Sequence, residues 1–213
     1  MINNNARLIA IESTIHSRYK NTWLFYRKNF RSRVDKFNKL GQLPSYFGPM
    51  IGDKKEVAIA ELGAGPFCTI GNSWKDVKVN IYASDILQKE YLPFWELHKV
   101  VPIVPVEYQD MEHLTYPDKF FDVVHCANAL DHTLDAKQAL KEILRVCKFG
   151  GSIYLRHLPD QRKKYRGMHA WDVNEINGET IFSNSREKFS LLEFGDFKTR
   201  VEDGFVVSIL CKI

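Results

Sequence analysis

The stretch Val57-Ala58-Ile59-Ala60-Glu61-Leu62-Gly63-Ala64-Gly65-Pro66 decides the fold. Its first half is an apolar run, short enough for a buried parallel strand. Two glycines two residues apart then let the backbone turn sharply and approach a ligand, because neither carries a Cβ. A glycine turn directly after a strand marks the ligand-binding end of an open α/β sheet. A dinucleotide fingerprint needs a third glycine at position 68, where Cys68 stands. The carboxylate of Glu61 would also repel a pyrophosphate. It would attract a cofactor that carries an ammonium and a sulfonium.

Working outward, a second strand over residues 77–83 ends at Ser84-Asp85. Asp85 falls 22 residues after Gly63, where a nucleotide-binding α/β unit places the acid that accepts both ribose hydroxyls. Only a brief helix is expected between the two strands, because Gly71 and Asn72 interrupt it. Residues 88–98 read as a helix bent at Pro93. A third strand over 103–108 leads into Gln109-Asp110-Met111, and a fourth over 120–127 ends near Asn128, Asp131 and His132. Asp135 opens a helix whose inner face is Ala136, Ala139, Leu140, Ile143, Leu144 and Cys147; Lys148 lies in its last turn and Gly150-Gly151 stop it. Residues 152–156 form strand five, and 189–194 and 204–210 the last two strands. The span 159–188 shows no regular element; it leaves strand five at the ligand end and should roof a substrate pocket.

The loop Glu61-Leu62-Gly63-Ala64-Gly65-Pro66-Phe67 resembles the first motif of class I S-adenosylmethionine-dependent methyltransferases. The segment FDVVHCANALDHTLDAKQALKEILRVCKFGGSIYLRHL, residues 121–158, resembles their fourth motif, following helix and fifth strand. With Asp85, the resemblance covers about residues 55–157. It implies an α/β, Rossmann-like, doubly wound seven-stranded sheet in the order 3-2-1-4-5-7-6, the last strand antiparallel and inserted between its neighbours. It also implies S-adenosylmethionine contacts at Glu61, Gly63, Ala64, Gly65, Pro66, Asp85, Ile86, Asp110, Met111, Ala127 and Asn128. In that scheme Asp110 takes the adenine amine, and Met111 offers its amide and an apolar surface.

The N-terminal arm has its own pattern. Leu8, Ile11, Ile15, Tyr19, Trp23, Tyr26, Phe30, Val34 and Phe37 recur every three or four residues, the stripe of a long amphipathic helix or of two with a bend. Its polar side carries Arg18, Lys20, Arg27, Lys28, Arg31, Arg33, Lys36 and Lys39 against Asp35 alone. Such a face is either solvated packing or a lid that meets an anionic substrate. Gly41, Pro44, Gly48, Pro49 and Gly52 read as a linker, giving an arm over 1–50 and a cofactor-binding domain over 51–213.

Composition supports an ordinary globular chain. Of 213 residues, 45% are hydrophobic and 26% charged, which excludes a disordered protein. A formal charge of +4 does not demand nucleic acid. No apolar run has membrane-span length, and Met1-Ile2-Asn3-Asn4-Asn5 lacks a signal-peptide pattern, so a cytoplasmic location is expected. Cys68, Cys126, Cys147 and Cys211 have no metal spacing and read as reduced.

Methyl transfer from a sulfonium to a hydroxyl needs alignment and a base, and histidine suits that role near neutrality. His132 and His169 are the candidates. His125, inside a strand, reads as a core or cofactor-side residue. His157, Arg162, Arg166 and Trp171 are the expected substrate contacts, with Trp171 as an aromatic platform; no metal is expected. The loop Gly167-Met168-His169-Ala170-Trp171-Asp172 resembles that of bacterial methyltransferases associated with surface-glycan synthesis. The basic arm and the run Arg156 to Arg166 would suit a phosphorylated or nucleotide-linked acceptor, so the expected acceptor is small, polar and anionic, a phosphorylated or sugar-type molecule methylated on oxygen. An RNA methyltransferase and a non-catalytic cofactor-binding subunit are the alternatives. Against RNA, strand four ends Cys126-Ala127-Asn128-Ala129, without the Asn/Asp-Pro-Pro-aromatic tetrad of base-amine methylation.

Overall fold

The computed structural model describes residues 17–39, 41–165 and 168–213. Strand β1 (Glu56–Leu62) pairs in parallel with β2 (Lys78–Asp85) on one side and β4 (Phe121–Ala127) on the other. Both β1 and β4 are covered on both faces, which explains their near-continuous apolar sequences. Strand β3 (Val106–Tyr108) extends the sheet beyond β2, and β5 (Cys147–His157) lies beside β4. The seven-stranded order is β3-β2-β1-β4-β5-β10-β9, with β9 at Lys198–Glu202 and β10 at Phe205–Cys211. Strand β10 is antiparallel to both neighbours. This is the expected Rossmann-like order, with the final strand inserted.

Several local expectations change. The penultimate sheet strand is Lys198–Glu202 and not 189–194. Ser190 instead caps a 3₁₀ turn over Leu191–Phe194: its hydroxyl accepts from Leu192 N–H at 3.1 Å, while Glu193 accepts from Ser190 N–H at 3.1 Å. The span 159–188 is structured. It holds a short helix and a separate antiparallel sheet of β6 (Asp172–Ile176), β7 (Glu179–Ser183) and β8 (Lys188–Ser190). Asn177 and Gly178 both adopt positive φ between β6 and β7, and Asn-Gly is the dipeptide that favours such a hairpin.

No regular helix follows β1; residues 63–77 run as turns. The backbone of 41–43 crosses this loop, with Asn72 N–H donating to Gly41 O at 2.9 Å and Leu43 N–H to Ser73 O at 2.9 Å. Finally, the helix opened by Asp135 spans Ala136–Val146, its cap accepting from Gln138 N–H at 2.9 Å. Cys147 and Lys148 already belong to β5, and Lys148 pairs with Asp122 at 2.8 Å instead of ending the helix.

The arm forms α1 (Ser17–Phe37), which buries Trp23 and Phe30 against Phe67, Leu87, Tyr91 and Phe94. Those partners lie on the glycine loop and on α3 (Gln88–His98), the helix with Pro93 inside it; α2 is the short helix Gly48–Ile51. The stretch expected as a linker is core: Leu43, Phe47, Met50 and Ile51 are buried with Val57, Ile59 and Tyr154. Its apolar pairs Tyr46-Phe47 and Met50-Ile51 outweigh its glycines and prolines. Leu8, Ile11, Ile15 and Arg166 lie outside the described residues, as does the side chain of Arg18. Among the described residues no helix is long and apolar enough to cross a membrane. Cys68, Cys126 and Cys147 are buried, Cys211 is exposed, and all four are free.

Candidate active site

The carboxyl ends of β1, β4 and β5 open into a cavity of about 780 Å³. A narrower cleft of about 80 Å³ adjoins it along β2 and β3. The two share Thr22, Tyr26, Leu62, Gly63, Asn128 and His132, so they form one continuous space. Helix α1 contributes Tyr19, Thr22 and Tyr26 to its wall.

The glycine loop is held by the protein's own groups. Gly63 N–H and Ala64 N–H donate to Ser84 O at 2.9 and 3.0 Å. Gly63 has φ +74°, and a Cβ there would stand 2.1 Å from that of Ala129. Gly65 has φ +70°, and a Cβ there would meet the Tyr26 hydroxyl at 2.6 Å. These glycines therefore admit a neighbouring strand end and a side chain of α1 as much as they admit a ligand.

Glu61 is buried, and its carboxylate accepts from Thr69 N–H at 3.0 Å and from the Thr69 hydroxyl. Burial raises its pKa, and the Thr69 bonds counter this. Asp85 accepts from Gly65 N–H at 2.8 Å, Leu87 N–H at 2.8 Å and the Tyr91 hydroxyl at 3.1 Å. Its pKa is likewise raised by burial. Asp85, Ile86, Asp110 and Met111 line the narrow cleft, whereas Glu61, Ala64 and Ala127 line the larger cavity. Gly65 and Pro66 line neither.

The second cluster lies across the cavity. Leu130–His132 form a 3₁₀ turn after β4 and bury Asp131. Asp131 O accepts from Ala170 N–H at 2.8 Å and Trp171 N–H at 3.1 Å, which ties the roof loop to this turn. His169 Nδ1–H can then donate to Asp131 Oδ2 at 2.6 Å. The rings of His132 and His169 stand 4.2 Å apart. His157 Nε2 lies 4.0 Å from Asp131 Oδ1, and neither atom has a hydrogen-bond partner. Burial would raise the pKa of Asp131, but the His169 bond and the neighbouring histidines hold it down at about 2. Burial pushes His157 down to about 4 despite Asp131.

His132 and His169 both line the cavity. Asp131, His132 and His169 are also a possible metal-ligand group, their ligand atoms within 4.8 Å of one another. The 2.6 Å contact is a hydrogen-bond length, shorter than the separation of two ligands that share an ion at about 2.1 Å each. As it stands the arrangement is an Asp–His dyad.

Three expected substrate contacts lie elsewhere. Trp171 is fully buried among Phe182 and Phe189, with its indole N–H donating to Thr133 O at 2.9 Å, so it is core and not a platform. His157 is buried behind Asp131. Arg162 faces Asp172 at 3.6 Å and does not line the cavity. Sequence reasoning missed the opposite wall, where Tyr46, His125 and Tyr154 stack with rings 4.5 to 6.1 Å apart. The Tyr46 hydroxyl lies 3.2 Å from His125 Nε2, and burial pushes that histidine down to about 3. Arg156 joins this wall, its guanidinium 3.3 Å from the Phe205 ring centroid. The alternation of Tyr154 and Arg156 along β5 was the available signal.

Residues 61–155 match the methyltransferase-domain family. With the strand order and glycine loop described, this part of the chain resembles the class I methyltransferase domain, the fold that takes S-adenosylmethionine as cofactor. Among solved structures, the fold is similar to a putative S-adenosylmethionine-dependent methyltransferase from Methanococcus maripaludis, with TM-score 0.50 and 14% identity over 87% of this chain and 91% of that one. Among curated proteins, the chain is 42% identical over 53 residues to a ubiquinone/menaquinone biosynthesis C-methyltransferase of Chromobacterium violaceum. A homologue of the same name from Laribacter hongkongensis is 45% identical over 51 residues. These matches span 25% and 24% of this chain, and only 22% and 21% of the relatives' own lengths.

Proposed function

We propose that the protein is an S-adenosylmethionine-dependent methyltransferase that methylates a hydroxyl of a small, polar, anionic acceptor, a phosphorylated or sugar-type precursor in surface-glycan synthesis. The observation that carries this reading is the His169–Asp131 pair, 2.6 Å apart, on the cavity that also reaches the glycine loop. The adenosine end of the cofactor fits the narrow cleft, where Asp85 offers its remaining lone pairs to ribose and Asp110 and Met111 face the base. The methionine end fits beside Glu61, Gly63 and Ala64. When bound, the cofactor supplies an electrophilic methyl group and a neutral thioether leaving group.

The chain's own residues do the rest. Asp131, held ionised, fixes the ring of His169 through Nδ1–H. That leaves Nε2 as the acceptor of the hydroxyl proton, which makes the oxygen nucleophilic as it is alkylated. Lys36 and Arg156 line the same cavity and give an anionic acceptor its electrostatic hold. The aromatic wall of Tyr46 and Tyr154 offers the flat apolar surface against which a sugar ring packs.

The test is transfer of labelled methyl from S-adenosylmethionine to sugar phosphates, nucleotide sugars and tRNA, with the product atom located by NMR. A methyl ether on a sugar-type acceptor is the expected product. Label appearing only in tRNA, or on carbon as the names of the curated relatives would suggest, would replace this acceptor assignment. A protein that binds the cofactor and transfers to nothing in the panel would favour the partner-subunit alternative.

A further inference from the structure

Helix α1 lies outside the matched domain, yet it brings a cation to the cofactor end of the cavity. The Arg33 guanidinium is clamped between two rings, 4.9 Å from the Tyr26 centroid and 4.8 Å from that of Phe37. Tyr26 in turn covers Gly65. Arg33 thus stands over the loop with Glu61, Gly63 and Ala64, all on one cavity. Its Nε is buried without a hydrogen-bond partner, and among the described residues no carboxylate forms an ion pair with it. Burial raises the pKa of Glu61, and the charge of Arg33 opposes that rise, so the two groups face each other electrostatically.

A half-buried guanidinium with its Nε withdrawn from water and unpartnered gains from an anion. The two acids beside the glycine loop are already engaged, Glu61 by Thr69 and Asp85 by Gly65, Leu87 and Tyr91. The missing partner is therefore brought by a ligand. Beside the glycine loop the ligand group is an amino acid zwitterion, whose ammonium suits Glu61 and whose carboxylate suits a cation a few ångströms away. We infer that Arg33 is the carboxylate clamp of S-adenosylmethionine, contributed by the N-terminal helix to complete a site that the methyltransferase domain alone leaves open. This rests on the cofactor assignment above and adds a binding residue to it. It gives α1 a ligand-dependent role: the helix packs on the domain through Trp23 and Phe30 and grips the cofactor through Arg33.

The experiment compares two ligands that differ only beyond the sulfur. S-adenosylhomocysteine carries the aminocarboxylate, and 5′-methylthioadenosine does not. Calorimetry on the wild-type chain, Arg33→Met and Arg33→Lys separates the contributions. Losing a charge-assisted pair should weaken S-adenosylhomocysteine binding to Arg33→Met roughly 10- to 100-fold, with 5′-methylthioadenosine changed by less than about twofold. Arg33→Lys, which keeps the charge without the fork, should fall between. Equal weakening of both ligands would mean that Arg33 only packs α1, and no weakening of either would hand it to the acceptor; both results overturn the inference. Failure of the wild-type chain to bind S-adenosylhomocysteine would instead overturn the cofactor assignment on which it stands. Retained binding of 5′-methylthioadenosine shows at once that the variants are folded.

Discussion

The acids that frame the two sides of the cavity are held in different ways. On the cofactor side, Glu61 and Asp85 are buried acids whose oxygens meet protein donors from Thr69, Gly65, Leu87 and Tyr91. On the acceptor side, Asp131 Oδ1, His157 Nε2 and His125 Nδ1 are buried with no partner at all. The first arrangement is a preorganised frame, fixed before any ligand arrives. The second holds unsatisfied groups in a dry place, which costs stability and is found where chemistry or binding repays it. A binding loop can be built from satisfied acids because their spare lone pairs still point outward.

The largest effect should come from the dyad. Replacing His169 by Gln keeps hydrogen bonding but removes proton acceptance, so the methyl-transfer rate should fall roughly 10²–10⁴-fold with cofactor affinity nearly unchanged. Asp131→Asn should behave alike, because the amide can no longer hold the ring as its charged partner. The acidic limb of the pH–rate profile should disappear in His169→Gln. If the limb survives there and vanishes in His132→Gln, the neighbouring histidine, 4.2 Å away, is the base. If both variants keep near-full rates, the site works by alignment alone, and the two sides of the cavity differ less than their hydrogen bonding suggests.

Asp85→Ala is the matching test of the frame. Loss of charge-assisted hydrogen bonds to ribose should weaken S-adenosylhomocysteine binding by about 2 kcal/mol. The same change strips Gly65 N–H and Leu87 N–H of their acceptor, so the unliganded protein should also lose stability, by about 1–3 kcal/mol. A folded variant with unchanged affinity would make Asp85 a loop tie and nothing more. Calorimetry and thermal unfolding on the same sample separate the two losses.

These contrasts also explain what the sequence revealed. The β1–glycine loop–β2 frame was legible because it is built from local, ordered signals: an apolar strand, glycines at a turn and an acid at a fixed distance. Each of those residues acts near its own position in the chain. The acceptor half depends on contacts far apart in sequence. Asp131 reaches His169 across 38 residues, and Tyr46 meets His125 across 79. The roof misled for a related reason. Trp171 and Asp172 sit next to His169, but the chain turns so that Trp171 enters the core and Asp172 holds Lys163 N–H at 3.0 Å and faces Arg162. Proximity in sequence had suggested one site, and the β6 register sends those side chains to other places. The hairpin itself was readable from Asn177-Gly178. The closing of Tyr26 over Gly65 was not, since nothing in an amphipathic stripe tells which aromatic leaves the core for the ligand loop.

The smallest expected effect concerns whether the unsatisfied side is truly dry. His125 has its ordinary pKa near 6.5 when the chain unfolds, and burial holds it at about 3 in the fold, with Arg156 adding to the shift. Between those values the unfolded chain binds a proton that the folded one refuses. Stability contributed by the neutral ring is thus complete above pH 6.5 and declines as the pH falls toward 3. From pH 7 to 5.5 this one group should cost about 1 kcal/mol. That corresponds to a Tm lower by roughly 2–4 °C in a chain of this size. His157, held at about 4, adds a loss of the same sign. His125→Phe keeps a ring to stack between Tyr46 and Tyr154 but titrates in neither state. Its Tm difference between the two pH values should shrink by the His125 share, leaving that of His157. An unaltered difference would mean that His125 takes up its proton in the folded protein, with water or ligand reaching Nδ1 from the cavity. The aromatic wall would then belong to the reactive side of the site and not to its support.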